Sequence, residues 1–327
     1  VVNIQRIVIP IMLALVAALA FGGVAQRRSH PYASDAPITE PQIFAEGVIS
    51  TADFDDYLAF TPDGKTVYFT KHRPSFSSGT IVISHFKNGK WTTPEVAPFS
   101  GQYGDEQPCL SPDGERLFFT SNRPVTGATP RRDADIWYVE KTAKGWSEPV
   151  HLDAPVNTDT YDWHPSVTSD GTLYFVSARQ AEKRANNIYR SRLVGGKYSS
   201  VEMLPDAINT DRHDMHPWIS ADEKILLFVS EGRPDSFGQD DLYVSYNRNG
   251  AWSPAKNLGP KINTMFYEYS AKISPDGKYL FYCHGFGDIK LPDQKVSYKE
   301  LLGIFNSAHN GFANIYQIDL AATGIER

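Results

Sequence analysis

The chain has 327 residues and a formal net charge of −6, its 32 Lys and Arg and 38 Asp and Glu scattered along the whole length. Arg131-Arg132 is the only notable basic pair in the body of the chain, so no phosphate-tracking stripe is visible and nucleic acid is excluded as an expected partner. Aromatics at 13% with 22 Pro and 24 Gly exclude a mainly helical protein and predict short strands joined by many turns.

Residues 1–25, "VVNIQRIVIPIMLALVAALAFGGVA", carry an early Arg, a long apolar run and small residues at Gly23 and Ala25. They read as an export signal cut after Ala25, which makes the expected location periplasmic or secreted and leaves no membrane span in the mature chain. The alternative is an uncleaved anchor, since the run approaches the ~20 residues that span a bilayer. Residues 26–38 read as a linker.

From there one unit recurs. "TPDG" at Asp63, "SPDG" at Asp113, "TSDG" at Asp170, "SADE" at Asp222 and "SPDG" at Asp276 are 50, 57, 52 and 54 residues apart. A period near 50 residues built of short strands belongs to propeller blades. Before each turn an alternating strand is predicted, and after it an unbroken apolar one: "TVYFT", "RLFFT", "TLYFV", "ILLFV", "YLFYC". Alternation suits a strand with two unlike faces, and a continuous run suits one covered on both. A third strand ("TIVISHF", "DIWYVEK", "NIYRSRL", "DLYVSYN", "NIYQIDL") and a fourth opening on Trp91, Trp146, Tyr198 or Trp252 complete the unit. The fifth unit lacks its fourth strand, and "PQIFAEGVIST" (41–51) matches "PAKNLGPKINT" (254–264) without a gap. The expected fold is therefore all-β, a five-bladed β-propeller of four-stranded antiparallel blades whose ring is closed by an N-terminal strand. The blades are expected near 52–98, 102–153, 159–205, 211–259 and 265–320 plus 39–50, with a tail at 321–327. Closure of this kind removes exposed sheet edges. Cys109 and Cys283 are expected as buried free thiols, and "SYKELLGIFNSA" as a short helix with Ser297 as N-cap and Glu300 three residues on.

"LSPDGERLFFTSNRP" followed by "DADIWYVEK" and "GWSEPVHLDAPVNT" resembles the TolB-type propeller repeat of bacterial envelope proteins, over residues 41–320. The resemblance implies the fold and, for partners, an envelope protein, a peptide or a glycan bound by a monomeric ring. The protein that gives the family its name has a separate N-terminal domain and six blades. Neither is expected here, so a role in the Tol system is not implied.

One column repeats a carboxylate just before each first strand: Asp55, Asp105, Asp162, Asp214 and Glu268. Two roles are open for it, capping of the preceding turn or a shared site for a hard divalent cation such as calcium. "YDWHPS" and "HDMHPW" place His164 and His216 at equivalent positions, where they could fill a repeat position, ligate a metal or do acid–base work. The seven residues form the expected binding site at one mouth of the ring. Arg73, Arg123, Arg179 and Arg233 end second strands and are expected to bond Asp135, Asn187, Asp241 and Asn314, which open third strands. No nucleophile elbow, phosphate loop or zinc-helix motif is present. The leading expectation is a non-enzymatic binding module. The alternative is a polysaccharide-active enzyme, a glycoside hydrolase or a metal-dependent lyase, working at the same mouth.

Overall fold

A computed structural model describes residues 31–72, 78–127, 129–179, 185–285, 287 and 293–327. The expected signal segment and Arg73 lie outside these. The fold is all-β, in four-stranded antiparallel sheets. In the third unit the strands Asp162–Val167, Leu173–Ser177, Asn187–Val194 and Lys197–Met203 pair in chain order. In the first, second and fourth units the outer strand is broken into two short pieces, such as Lys90–Trp91 and Glu95–Val96, that both pair with the third strand.

In the last unit Tyr267–Ile273, Tyr279–Gly285 and Asn314–Asp319 pair in order, and Gln42–Ile43 adds to the outer edge opposite Gln317 and Tyr316. The gapless sequence match is one residue out at this point. Phe44 N–H donates to Ile315 O as Leu258 N–H does to Leu242 O. Ser50 Oγ then bonds Ile315 N and O where the Asn263 amide bonds Leu242 N and O. The N-terminal segment takes one residue more between its two anchors, and Ala45 (φ 47°) and Gly47 (φ 79°) absorb it.

The inner strands Phe54–Phe60, Asp105–Leu110, Asp162–Val167, Asp214–Ile219 and Tyr267–Ile273 touch in that order, and the first also touches the last. Between neighbouring sheets lies the core, made by the continuous apolar second strands: Phe69, Phe119, Phe175, Phe228 and Phe281 are all fully buried. The turn between first and second strands repeats one device. Thr61, Ser111, Thr168, Ser220 and Ser274 hydroxyls donate to Asp63, Asp113, Asp170, Asp222 and Asp276. The next residue but one to the proline or its equivalent takes positive φ, and it is Gly in four units and Glu223 (φ 60°) in the fourth. The Glu223 carboxylate accepts the Tyr174 hydroxyl at 2.6 Å and pairs with Arg190 at 3.2 Å, so the unit that departs from the motif gains a tie to its neighbour.

Two segments expected to lie outside the ring belong to the core. Within the expected linker, Tyr32 is buried against Phe60, Tyr279 and Phe281, its carbonyl accepts from Gln317, and Ile38 is buried with its N–H donating to Asp319. In the expected tail, Ile325 is buried and Arg327 donates to Gly277 O. Single large side chains within a polar run are enough to anchor it to the core. Cys109 and Cys283 are free and buried. The helix Tyr298–Phe305 forms with the expected capping box of Ser297 and Glu300.

Candidate functional site

The five repeated carboxylates are all fully buried. Each closes its own turn and takes a basic side chain of the adjoining strand or loop. Asp55 accepts Thr51 N and Oγ1 at 2.8 and 2.6 Å and Lys71 Nζ at 2.6 Å. Asp105 takes Ser100 Oγ at 2.9 Å and Arg123 at 2.6 Å. Asp162 takes Thr158 N and Oγ1, both at 2.7 Å, and Arg179 at 2.9 Å. Asp214 takes Thr210 Oγ1 at 2.8 Å and Arg233 at 3.4 Å. Glu268 takes Thr264 N and Oγ1 at 2.8 and 2.6 Å and His284 Nδ1 at 2.6 Å. Of the two roles open for this column, the geometry is that of caps. Among the described residues no three His, Cys, Asp or Glu side chains cluster closely enough to hold a metal ion. Since four of the carboxylates pair with Lys or Arg and the fifth with His284, a melting series is expected to show the same midpoint, within about 1 °C, in millimolar calcium and in EDTA. A calcium-dependent rise would return the column to metal binding.

The arginines do not take the partners expected from the hairpin. Ser121, Ser177 and Ser230 hydroxyls hold the Nε of Arg123, Arg179 and Arg233 at 2.9, 2.8 and 2.7 Å and turn each guanidinium back across its inner strand. Asp135 pairs instead with Arg131 and His151, each at 2.8 Å, and Asp241 accepts Phe237 and Gly238 N–H groups.

Two residues after each carboxylate the backbone turns left-handed: Tyr57 (φ 53°), Gln107 (φ 59°), His164 (φ 52°), His216 (φ 52°) and Ser270 (φ 52°). The pairing register slips there in every unit. Such bulges in residues other than Gly cost about 1–3 kcal/mol each, and their effect here is to turn these five side chains onto one narrow space at the axis. His164 and His216 therefore meet, stacked with ring centroids 3.8 Å apart, with Tyr57 at 5.7 and 5.6 Å. His216 N–H donates to His164 Nδ1 at 3.4 Å. Burial, then the nearby charges of Lys272 and, for His164, of His216, holds both imidazoles neutral, with His216 pushed down to about 3. They are packed ring on ring as wall.

The position between carboxylate and bulge is different in every unit: Asp56, Glu106, Trp163, Met215 and Tyr269. The chemistry gathers there. Asp56 and His72 form a buried pair at 3.1 Å, and Tyr269 Oη donates to the same carboxylate. Burial opposes charge on His72, but Asp56, the bond to it and Glu106 outweigh that and push it up to about 9. Glu106 lies 3.8 Å from His72 and accepts Gly79 N–H at 2.9 Å. A Cβ at position 79 would meet Glu106 Cγ at 2.5 Å, so Gly79 leaves the room that this carboxylate occupies. Burial raises the Glu106 carboxyl, with His72 opposing and Asp56 adding to the rise.

Glu106 forms one wall of a cavity of about 400 Å3 on the face that carries the long loops, together with Asn122, Arg132, Asp133, Tyr161 and Trp163. The Tyr161 and Trp163 rings are 4.9 Å apart and inclined at 53°. Tyr161 Oη donates to Arg132 O, whereas the buried Trp163 Nε1 has no hydrogen-bond partner among the described residues. His164 also lines this cavity. Of the residues expected at the mouth, only His164 touches it. Glu106, Tyr161 and Asn122 were missed because a search for repeated residues finds what each unit needs to fold, and these are the positions where the units differ.

No protein-family model and no curated protein matches the chain. Among solved structures, TolB from Acinetobacter baumannii is similar over 81% of this chain and 54% of its own, at 18% identity and a TM-score of 0.46. The putative TolB from Agrobacterium tumefaciens is similar over 82% of this chain and 91% of its own, at 12% identity and a TM-score of 0.49. A GH43 endo-arabinanase from Bacillus licheniformis is similar over 82% and 94%, at 10% identity and a TM-score of 0.48. TolB-like propeller proteins thus stand among the structural neighbours, and this chain spans about half the length of the Acinetobacter TolB.

Proposed function

We propose that the protein is an exported, periplasmic or secreted, monomeric five-bladed propeller, closed by its N-terminal strand, that binds a glycan in the loop-face cavity without transforming it. Closure is supported by the pairing of Gln42–Ile43 with the last strand and by the contact between first and last inner strands. Binding is supported above all by one observation: the Tyr161 and Trp163 rings, 4.9 Å apart, wall a cavity whose rim carries amide, guanidinium and carboxylate groups. A cavity of this size suits a small ligand, with apolar faces for stacking and a few polar groups for orientation.

The expected result is that Trp163→Ala, which removes a stacking ring, weakens binding of an oligosaccharide by roughly tenfold, and that Tyr161→Ala acts in the same direction. Calorimetry against a panel of envelope polysaccharide fragments measures it. Binding unaffected by either variant would place the ligand elsewhere, and binding of peptides alone would replace the glycan.

A second reading, cleavage of that glycan, is favoured by the opposed shifts of two carboxyls in one cavity. Burial raises Glu106, while two bonds from Arg131 hold Asp133 low. Carboxyls pushed apart in this way serve as acid and base in glycoside hydrolysis. Release of reducing ends that is abolished by Glu106→Gln would establish it. The metal-dependent lyase is not carried forward, because its expected ligands are already engaged.

A further inference from the structure

A cavity of about 810 Å3 lies on the other side of the ring, among the Ser-Pro-Asp-Gly turns. Its walls include Leu58, Leu110, Trp218, Ile219 and Ile273 from the inner strands. These positions follow the bulge in each strand. The one-residue register slip places apolar side chains towards the turn face and polar ones towards the loop face.

Lys272 lines both this cavity and the narrow axial space that holds the two histidines, so it stands where the one gives way to the other. Its ammonium donates to Pro108 O at 2.9 Å. Among the described residues it makes no other hydrogen bond and no ion pair. The titratable groups near it are the thiols of Cys109 and Cys283, kept protonated by burial, and the neutral His164 and His216, and burial pushes its own pKa down. The contrast with the rest of the ring is sharp: Lys71, Arg123, Arg179 and Arg233 each hold a carboxylate of their own. At the rim the charges are also matched, Lys224 with Asp222 at 2.9 Å and Arg248 with Glu326 at 3.9 Å.

We propose that this turn-face cavity binds a monoanionic amphiphile, a carboxylate carrying an alkyl or aryl body, with the carboxylate against Lys272 and the apolar body along Trp218 and its neighbours. An unpaired cation at the end of an apolar space is costly, and one anion of equal charge relieves it. Lys224, Arg248 and Arg327 also line the cavity but are exposed, so at its inner end Lys272 is the one cation among the described lining residues and matches one negative charge. A phosphate monoester would bring in a further charge with nothing to meet it. The volume lies within the range of small-molecule sites. The site is separate from the loop-face cavity and does not depend on what binds there.

The test is calorimetry of the full chain with decanoate and with decanol, both below the concentrations at which they aggregate. Decanoate is expected to bind saturably at one per chain and at least about tenfold more tightly than decanol, the difference that a charge-assisted bond supplies. Lys272→Met is expected to remove that preference while leaving decanol binding unchanged. Trp218→Ala, at a partly exposed wall, is expected to weaken both ligands alike, and this holds the test open if the lysine variant fails to fold. Equal binding of the two ligands by the parent, no binding of decanoate, or decanoate binding untouched by Trp218→Ala would each overturn the proposal.

Discussion

A chain lacking residues 39–51 is expected to lose its cooperative unfolding transition altogether rather than to fray at one end. The segment supplies Phe44 and Ile49, both buried, as well as the strand that covers Asn314–Asp319. Its removal also detaches Tyr32 and Ile38, which reach the core only through it. Losing four such side chains from the core costs roughly 1.5–3 kcal/mol each, a total comparable with the roughly 5–15 kcal/mol that holds a domain folded. An exposed sheet edge is left behind as well, which favours aggregation. Far-ultraviolet circular dichroism during heating checks this. A truncated chain that melts at the parent temperature would show that the N-terminal strand does not close the ring.

The second large effect is expected at the buried pair of His72 and Asp56. Replacing His72 by Leu strands the Asp56 carboxylate, which is 1% exposed and keeps, among the described residues, Tyr269 Oη as its one donor, at a cost of about 3–5 kcal/mol. Adding Asp56→Asn to that variant is expected to recover part of the loss, because it removes the orphan charge. The same pair makes stability depend on pH. His72 is held at about 9 in the folded protein against 6.5 when unfolded, so the contribution of its proton is complete below pH 6.5 and is lost as the pH rises through 9. A shift of that size corresponds to on the order of 3 kcal/mol. Burial also raises the Asp56 carboxyl, which takes back part of it. Urea unfolding at pH 6 and at pH 9.5 is expected to show the parent losing stability over this window and the double variant losing much less. Equal loss in both would mean that another group titrates.

The strands and their order were legible in the sequence because a repeated unit states its needs five times. The Ser-Pro-Asp-Gly turn, the unbroken apolar second strand and the carboxylate ahead of each inner strand are local requirements of backbone geometry and two-sided burial, and each recurs wherever that geometry does. The capping box at Ser297 and Glu300 was readable for the same reason, since both partners lie within one turn of helix.

What the tertiary structure decided is where side chains go once strands curve around an axis. The bulge in each inner strand leaves no signature in the sequence, because the residues that take positive φ are Tyr, Gln, His, His and Ser rather than Gly. That bulge stacks His164 on His216 as a wall and leaves Lys272 alone between two cavities. Arg123, Arg179 and Arg233 each had two neighbours to choose from, the carboxylate of the inner strand and the Asp or Asn that opens the third, and the hydroxyl that holds each Nε selected the inner one. Phe44 and Tyr32 could be placed only with the last strand in view, since the surfaces they cover are made by residues more than 200 positions away in the chain. Local geometry is encoded in neighbouring residues and can be read from them. Pairing across the ring is a choice among distant partners, and packing makes it.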